Sequence, residues 1–482
     1  MRSIGGKMNM LEKSRSQELQ KPPLPRGPAD TIRIRRLLLS AGVSFLIYFL
    51  TSGLAPAPRL ALTIFGVAAM LWITEAVPLY VTSFIILFLE VTLLGLPGGP
   101  LGFEGSEYKA FLQPFFDPTI TLFMGGFALS AALSRYRLDA LLASAILRRL
   151  PPTPGAVLAG FMAATVFLSM WMSNTATTAL MLAVMLPVLG NIAESDPWRR
   201  ALVLAIPFSA NLGGMGTPVG SPPNVIALGA LQRAGVEISF IKWMAIAVPV
   251  MLLMLFFTWF LLMRFFPPQS GTVLLTRAGQ NNATITTRGW FVLATFIGTA
   301  LLWLTSAWHG IPEGIVGLIP VILLFGSKTL STENISNLGW DVLLIVGGGL
   351  SLSVAFQQAG LPEVIADLLP TAGMPIWQLL VLMIALTSLL GTFISNTATA
   401  GLLMPIVIGL CAGHPAMTAI TVATTLAISM VMTLPISTPP NTMAYGTRAI
   451  GTADMARTGL LINLAGMALL VLAGSLLWRL VI

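Results

Sequence analysis

Apolar runs of about 20 residues recur from residue 37 to the end of the chain, and no other feature restricts the fold as tightly. A run of that length crosses the hydrocarbon core of a bilayer as a helix, which satisfies its own backbone polar groups where no water can. Composition agrees. Of 482 residues, 56% are hydrophobic and 9% charged, where soluble domains carry roughly 25% charged residues. Mean hydropathy is +0.87. The 45 glycines and 33 prolines are tolerated in membrane helices and required wherever such helices break. The sequence therefore predicts an all-α polytopic membrane protein.

Its runs resolve into eleven transmembrane helices plus two re-entrant hairpins. The first four spans lie near 37–53, 60–76, 79–96 and 118–134. A hairpin over 155–190 is broken at Ser173, and the fifth span, 200–231, is interrupted by Gly213-Gly214-Met215-Gly216. The sixth to ninth spans fall near 240–266, 289–306, 312–326 and 340–358. A second hairpin over 376–410 breaks at Ser395, the tenth span (417–447) breaks around Pro435, and the last is 457–480. Residues 1–36 are polar and basic without an apolar core, and read as a cytoplasmic tail rather than a cleaved signal. With that tail inside, 21 of the 26 Lys and Arg lie in inside segments and 5 outside, the bias that sets topology. The C-terminus is then outside.

A net charge of +8 does not point to nucleic acid here, because the basic residues sit in loops between apolar spans. The lone Cys411 excludes an internal disulfide, and His309 and His414 are the only imidazoles. Gly213–Gly216 lacks the Lys-Ser/Thr that a phosphate loop needs. Residues 135–150, with Arg135, Arg137, Asp139, Arg148 and Arg149 around an apolar face, read as an interfacial amphipathic helix. Glu75 reads as structural, and Gly125-Gly126 and Gly347-Gly348 as close-packing sites between helices.

The chain repeats itself. Met172-Ser-Asn-Thr-Ala-Thr177 recurs as Ile394-Ser-Asn-Thr-Ala-Thr399, offset by 222, and Gly125-Gly126 recurs at Gly347-Gly348 with the same offset. Gly220-Ser-Pro-Pro-Asn224 returns as Ser437-Thr-Pro-Pro-Asn441, offset by 217. Each half thus reads as a span, a hairpin with Ser-Asn-Thr, and a broken span with Pro-Pro-Asn. The number of spans between the halves makes the repeat inverted, the pattern that points to a transport site near the midplane.

Ser173 and Ser395 suit helix N-cap positions, and Ser221-Pro222 and Thr438-Pro439 pair an N-cap with Pro at the first helical position. Each helix start carries roughly half a positive charge, so four converging starts present on the order of +2 without a basic side chain. That complements a small dianion and avoids leaving Lys or Arg buried in an empty carrier. No Asp, Glu, His or Lys lies within 169–192 or 388–413, so these segments hold no proton relay. Hydroxyls, amide oxygens and freed carbonyls remain, which suit a hard cation such as sodium.

With its paired Ser-Asn-Thr and Pro-Pro-Asn motifs and Trp72-Ile-Thr-Glu-Ala-Val-Pro78, the chain after residue 36 resembles the divalent anion:sodium symporter family of dicarboxylate and citrate carriers. The resemblance implies a homodimeric, elevator-type transporter of the bacterial inner membrane. It implies C4-dicarboxylate import (succinate, malate, fumarate) coupled to sodium, with no organic cofactor and lipid as the surroundings. Residues 37–154 (spans 1–4 and the interfacial helix) and 268–370 (spans 7–9) would form the scaffold. Residues 155–267, with the inward-opening hairpin, and 371–482, with the outward-opening one, would move. Ser173, Asn174 and Thr175 would meet one substrate carboxylate, and Ser395, Asn396 and Thr397 the other. Ser221, Pro222, Thr438 and Pro439 would close the pocket. One sodium would use Ser169, Ser173, Asn174 and Gly220; the other would use Gly391, Ile394, Asn396 and Ser437. The counterpart of Ser169 is Gly391, so the two ion sites are not equal. Sodium-independent dicarboxylate exchange, or carriage of sulfate or a tricarboxylate, are the alternatives. An intramembrane enzyme is disfavoured because Ser173 has no Lys or His near it in sequence to act as base.

Overall fold

The computed structural model describes residues 28–269, 271, 284–336, 338–368 and 374–476, and every described element is helical or a connection between helices. Helices of eight residues or more are numbered in chain order. The first three are α1 (Pro28–Leu50), α2 (Pro56–Thr74) and α3 (Leu79–Leu89), the last of which ends in a π-helical turn, Glu90–Leu94. α4 (Pro118–Arg135) precedes α5 (Leu138–Leu147), which occupies the expected interfacial helix. The first hairpin is α6 (Pro154–Ser169) and α7 (Asn174–Leu189). The fifth span is α8 (Trp198–Gly214) and α9 (Pro222–Arg233), followed by α10 (Phe240–Phe265), α11 (Thr287–Leu304) and α12 (Leu318–Gly326). α13 (Trp340–Gln358) and α14 (Leu361–Leu368) lead to the second hairpin, α15 (Ile376–Phe393) and α16 (Asn396–Leu410). α17 (Met417–Met430) and α18 (Pro439–Gly446) make the second broken span, and α19 (Thr452–Leu476) is the last helix.

One expectation shifts. The first helix starts at Pro28 rather than near residue 37, because Arg33, Arg35 and Arg36 are good helix formers and continue the helix into polar sequence. The end of the last expected span, 477–480, lies outside the described residues, as do residues 1–27 of the tail. Among the described residues, seven helical segments are long and apolar enough to cross a membrane by length and composition: Pro56–Thr74, Lys109–Arg135, Phe240–Phe265, Thr287–Leu304, Thr332–Gln358, Ile376–Phe393 and Thr452–Ser475. The other expected spans are short, as in Leu79–Leu94 and Glu313–Gly326, or broken in two.

Proline sets many of the starts. It occupies the first turn of α2, α4, α6, α9 and α18, where its missing N–H would have no helical partner anyway. The largest apolar core joins α6 to α10 with α15 to α19. A smaller one gathers Ile64, Trp72, Ile86 and Phe356 with Ala398 and Leu402 of α16. Large apolar side chains remain outside as well, including Leu38 at 67% and Phe256 at 65% exposure. Exposure on that scale fits a surface that meets lipid.

The glycine pairs act as expected. A Cβ at Gly125 would stand 2.2 Å from the carbonyl oxygen of Gly317, and one at Gly348 would stand 2.4 Å from the Ser83 side chain. Trp72 packs against Gly401, and its indole Nε1–H donates to the Leu79 carbonyl at 3.1 Å. Glu90, at the end of α3, is fully buried. It accepts a hydrogen bond from the Ser351 hydroxyl.

The broken spans and hairpins pack crosswise. α9, from the first half, lies on α16 of the second hairpin, while α18, from the second half, lies on α7 of the first.

Candidate functional site

Both Ser-Asn-Thr motifs sit at the turns between hairpin arms. Ser173 (φ −60, ψ 137) is the N-cap of α7 and accepts from the Ala176 N–H at 3.2 Å. Ser395 (φ −61, ψ 148) caps α16 and accepts from the Ala398 N–H at 3.3 Å. The two turns share one geometry because they share one sequence. Capping by a hydroxyl satisfies one of four free N–H groups per helix start and leaves others to point outward.

The Pro-Pro-Asn starts differ from this and from each other. Thr438 caps α18 and accepts from the Asn441 N–H at 3.3 Å. Ser221 stands at the N-cap of α9 but makes no side-chain capping bond, contrary to the expectation for that position. Both helices also begin with two prolines, which supply no N–H. They bring the positive end of a helix with fewer donors than an ordinary start, so the four ends are not equivalent anion ligands. The Ser-Asn-Thr starts keep N–H donors; the Pro-Pro-Asn starts leave mostly oxygens around them.

Those oxygens are organised by asparagines. The Asn224 amide donates to the Gly214 and Thr217 carbonyls at 2.9 and 2.8 Å, folding the 215–221 break onto itself. Asn441 does the same in the second half, donating to the Met432 and Leu434 carbonyls at 3.1 Å each and to the Ser437 hydroxyl at 3.2 Å. Asn211, near the end of α8, donates to Thr438 Oγ1 and Asn441 Oδ1 at 3.2 Å and so ties the two breaks together. Thr217 donates to the Met170 carbonyl, which joins the break to the first hairpin.

Around the first motif the expected ion ligands come together. Ser169 is fully buried, and its hydroxyl lies 2.6 Å from Asn174 Oδ1 and 2.8 Å from the Ala210 carbonyl. A hydroxyl has one proton, so three oxygens share a single donor. Gly214 abuts the Asn174 amide, and a Cβ on Gly220 would stand 2.6 Å from the Gly214 carbonyl oxygen. Ser169, Asn174, Gly214 and Gly220 therefore form one contiguous set. The second set is looser. Gly391 faces Val431, Ile394 is extended at the hairpin turn (φ −122, ψ 157), and Ser437 is fully buried in its own break. Among the described residues no hydrogen bond joins Asn396 to Ser437.

Burial separates the two groups of residues. Ser169, Gly220, Gly391, Ile394 and Ser437 are buried, whereas Ser173, Asn174, Thr175, Pro222, Ser395, Asn396, Thr397 and Pro439 keep exposed surface. Ser221 and Thr438 are buried behind the prolines. Three buried carboxamide oxygens have no hydrogen-bond partner: Asn211 Oδ1, Asn224 Oδ1 and Asn396 Oδ1. The hydroxyls of Ser209, Ser429 and Thr433, at the same breaks, are also unpartnered. Each such atom costs roughly 1–3 kcal/mol when nothing binds it, and together they are the ligand type that a hard cation takes. No cluster of three or more His, Cys, Asp or Glu that would hold a transition metal occurs among the described residues.

Asn211, Asn224 and Asn441 organise the two breaks more than the sequence reading assigns to them. The available signal was polarity out of place: Asn211 lies in an otherwise apolar helix four residues ahead of a break, where an unpaired amide is tolerated only at a cavity or ligand. Neither of two surface cavities, of about 560 and 550 Å³, is lined by a Ser-Asn-Thr residue. The second opens beside Pro218, between Gln232, Phe240 and Glu313.

Known proteins carry the same architecture. A family described as citrate transporter matches residues 69–429. The chain is 32% identical over 434 residues to an uncharacterized transporter of Schizosaccharomyces pombe, covering 87% of this chain and 50% of that protein, so it spans half of that relative's length. It is 32% identical over 441 residues to the sodium-dependent dicarboxylate transporter SdcS of Staphylococcus saprophyticus, covering 83% of this chain and 82% of the relative. The fold is similar to that of the Alcanivorax borkumensis YdaH transporter, with a TM-score of 0.57 at 18% identity over 83% of this chain and 98% of that one. With a family match over most of its length and relatives that are carriers rather than enzymes, this chain belongs to the citrate transporter family of divalent anion:sodium symporter-like membrane proteins.

Proposed function

We propose that the chain imports C4-dicarboxylates such as succinate, malate and fumarate, coupled to sodium ions as co-transported cargo. The observation that carries this reading is the pairing of two unlike ligand sets at the breaks. Each hairpin start caps one N–H with its serine and leaves others for an anion, while the buried amide oxygens of Asn211, Asn224 and Asn396 lack any donor. The first set suits carboxylates and the second suits a hard cation. The staphylococcal relative named a sodium-dependent dicarboxylate transporter supports the same assignment.

In this mechanism Ser173, Asn174 and Thr175 hold one carboxylate, and Ser395, Asn396 and Thr397 hold the other. Ser169, Ser173, Asn174 and Gly220 serve one sodium; Asn396, Gly391, Ile394 and Ser437 serve the second. Asn174 and Asn396 each belong to both sets, so an ion and a carboxylate sharing one carboxamide couple electrostatically. The crosswise packing of α9 on α16 and α18 on α7 supports an inverted repeat, in which a moving block of residues 155–267 and 371–482 slides against a dimeric scaffold. The N-terminus is then cytoplasmic.

Uptake of radiolabelled succinate into proteoliposomes tests the proposal. Uptake stimulated by an inward sodium gradient is expected. Uptake that needs internal dicarboxylate and ignores sodium would replace symport by exchange. Citrate, run in parallel because of the family's name, distinguishes a tricarboxylate substrate.

A further inference from the structure

The cavity of about 560 Å³ lies far in sequence from the hairpins, between the start of α1 and the α2–α3 turn. Arg33, Arg36 and Glu75 line it, together with Ile32 and residues 76–79. The Arg33 Nε–H donates to the Ala76 carbonyl at 3.2 Å, which fixes the guanidinium and leaves its terminal nitrogens free. Glu75 is held in the left-handed region (φ 48, ψ 38) as the C-cap of α2, a conformation uncommon for a non-glycine residue. The turn thereby sets its carboxylate at the cavity wall.

The charges in this cavity are not paired with one another. The ion pairs among the described residues are Arg200–Asp454 and Arg233–Asp117, so neither arginine is joined to Glu75. Two cations and one anion around a single cavity, all unneutralised, complement a ligand that carries both signs at separate ends. The surroundings fix what kind of ligand. Directly after Arg36, α1 exposes Leu38 at 67%, Phe45 at 65% and Leu50 at 75%, an apolar surface that runs on from the cavity rim. Arginine at the edge of such a surface sits at the level of lipid phosphates.

We propose that this cavity binds the headgroup of an aminoethyl phospholipid. Arg33 and Arg36 take the phosphate through paired N–H donors, Glu75 takes the primary ammonium, and the acyl chains lie along α1. The 560 Å³ of space is in the range of pockets that hold small molecules (roughly 300–1,000 Å³).

The test is native mass spectrometry of the purified full-length protein with dioleoyl-phosphatidylethanolamine, dioleoyl-phosphatidylglycerol or free O-phosphoethanolamine. Wild type should retain the ethanolamine lipid over the glycerol lipid by several-fold. Glu75→Gln should bring that preference to about one while still binding both lipids. Arg33→Gln with Arg36→Gln should weaken both by at least about tenfold. Arg33→Lys with Arg36→Lys keeps the charge, and serves if the double Gln variant fails to fold. Equal retention of the two lipids by wild type, or full retention by the double Gln variant, would overturn the proposal. Retention of free O-phosphoethanolamine as tightly as the lipid would overturn the lipid as the source of the headgroup.

Discussion

Replacing Ser169 with alanine removes one oxygen from the set in which Ser169, Asn174 and Ala210 share a single proton. The hydroxyl is fully buried, so no water replaces it. The folding cost is small, about 1 kcal/mol for one neutral hydrogen bond, because the Ala210 carbonyl lies within α8 and keeps its helical partner. The cost to a bound cation is larger. An oxygen facing a charge is worth about 1.5–3 kcal/mol, which corresponds to roughly 10- to 100-fold weaker sodium binding. Succinate uptake into proteoliposomes, measured against external sodium, should show half-saturation shifted upward by that factor. The maximal rate should return at high sodium. By linkage, apparent succinate affinity at low sodium should fall as well. A variant that transports normally with unchanged half-saturating sodium would refute the assignment of Ser169 to an ion site. So would a loss of uptake that no sodium concentration restores in a folded protein.

Three further substitutions probe the same geometry. Gly391→Ser places a hydroxyl where the second half lacks one; its Cβ would lie 3.3 Å from the Val431 side chain, close enough to be accommodated by a slight shift. Half-saturating sodium should fall several-fold in the same uptake assay. Gly214→Ala drives a methyl to 2.6 Å from Asn174 Oδ1 and should lower succinate uptake at least about tenfold, with an overpacking cost of roughly 1–3 kcal/mol read from thermal unfolding in detergent. Gly125→Ala meets the backbone of Gly317 at 2.2 Å, where no rotamer change relieves the clash. Loss of the monodisperse peak in size-exclusion chromatography is expected.

Much of the architecture was legible because two kinds of signal are local. Apolar runs mark the helices, and Ser or Thr before Pro or Asn marks where they restart, so the turns at Ser173 and Ser395 and the breaks before Pro222 and Pro439 could be placed in advance. Long-range pairing leaves no such mark. Nothing adjacent to Asn211 indicates that it reaches Thr438 and Asn441 across 227 and 230 positions. Ser221 and Thr438 look alike in sequence, yet only Thr438 caps its helix by a side-chain bond. The start of α1 was misplaced because arginines that signal topology are also strong helix formers. The position of Glu90 near a span end carries no information about Ser351, which packs onto it from 261 positions away.

The segments 169–192 and 388–413, which contain the two hairpin turns, hold no Asp, Glu, His, Lys or Arg. A binding site whose positive potential comes from helix ends and amides holds that potential constant as protons are added or removed. Acidity then acts on the cargo rather than on the carrier: lowering the pH converts the dianion to a monoanion, and uptake should follow the second ionisation of whichever acid is offered. Carried by this protein, two dicarboxylates of different acidity should give two displaced pH profiles, each tracking its own solute.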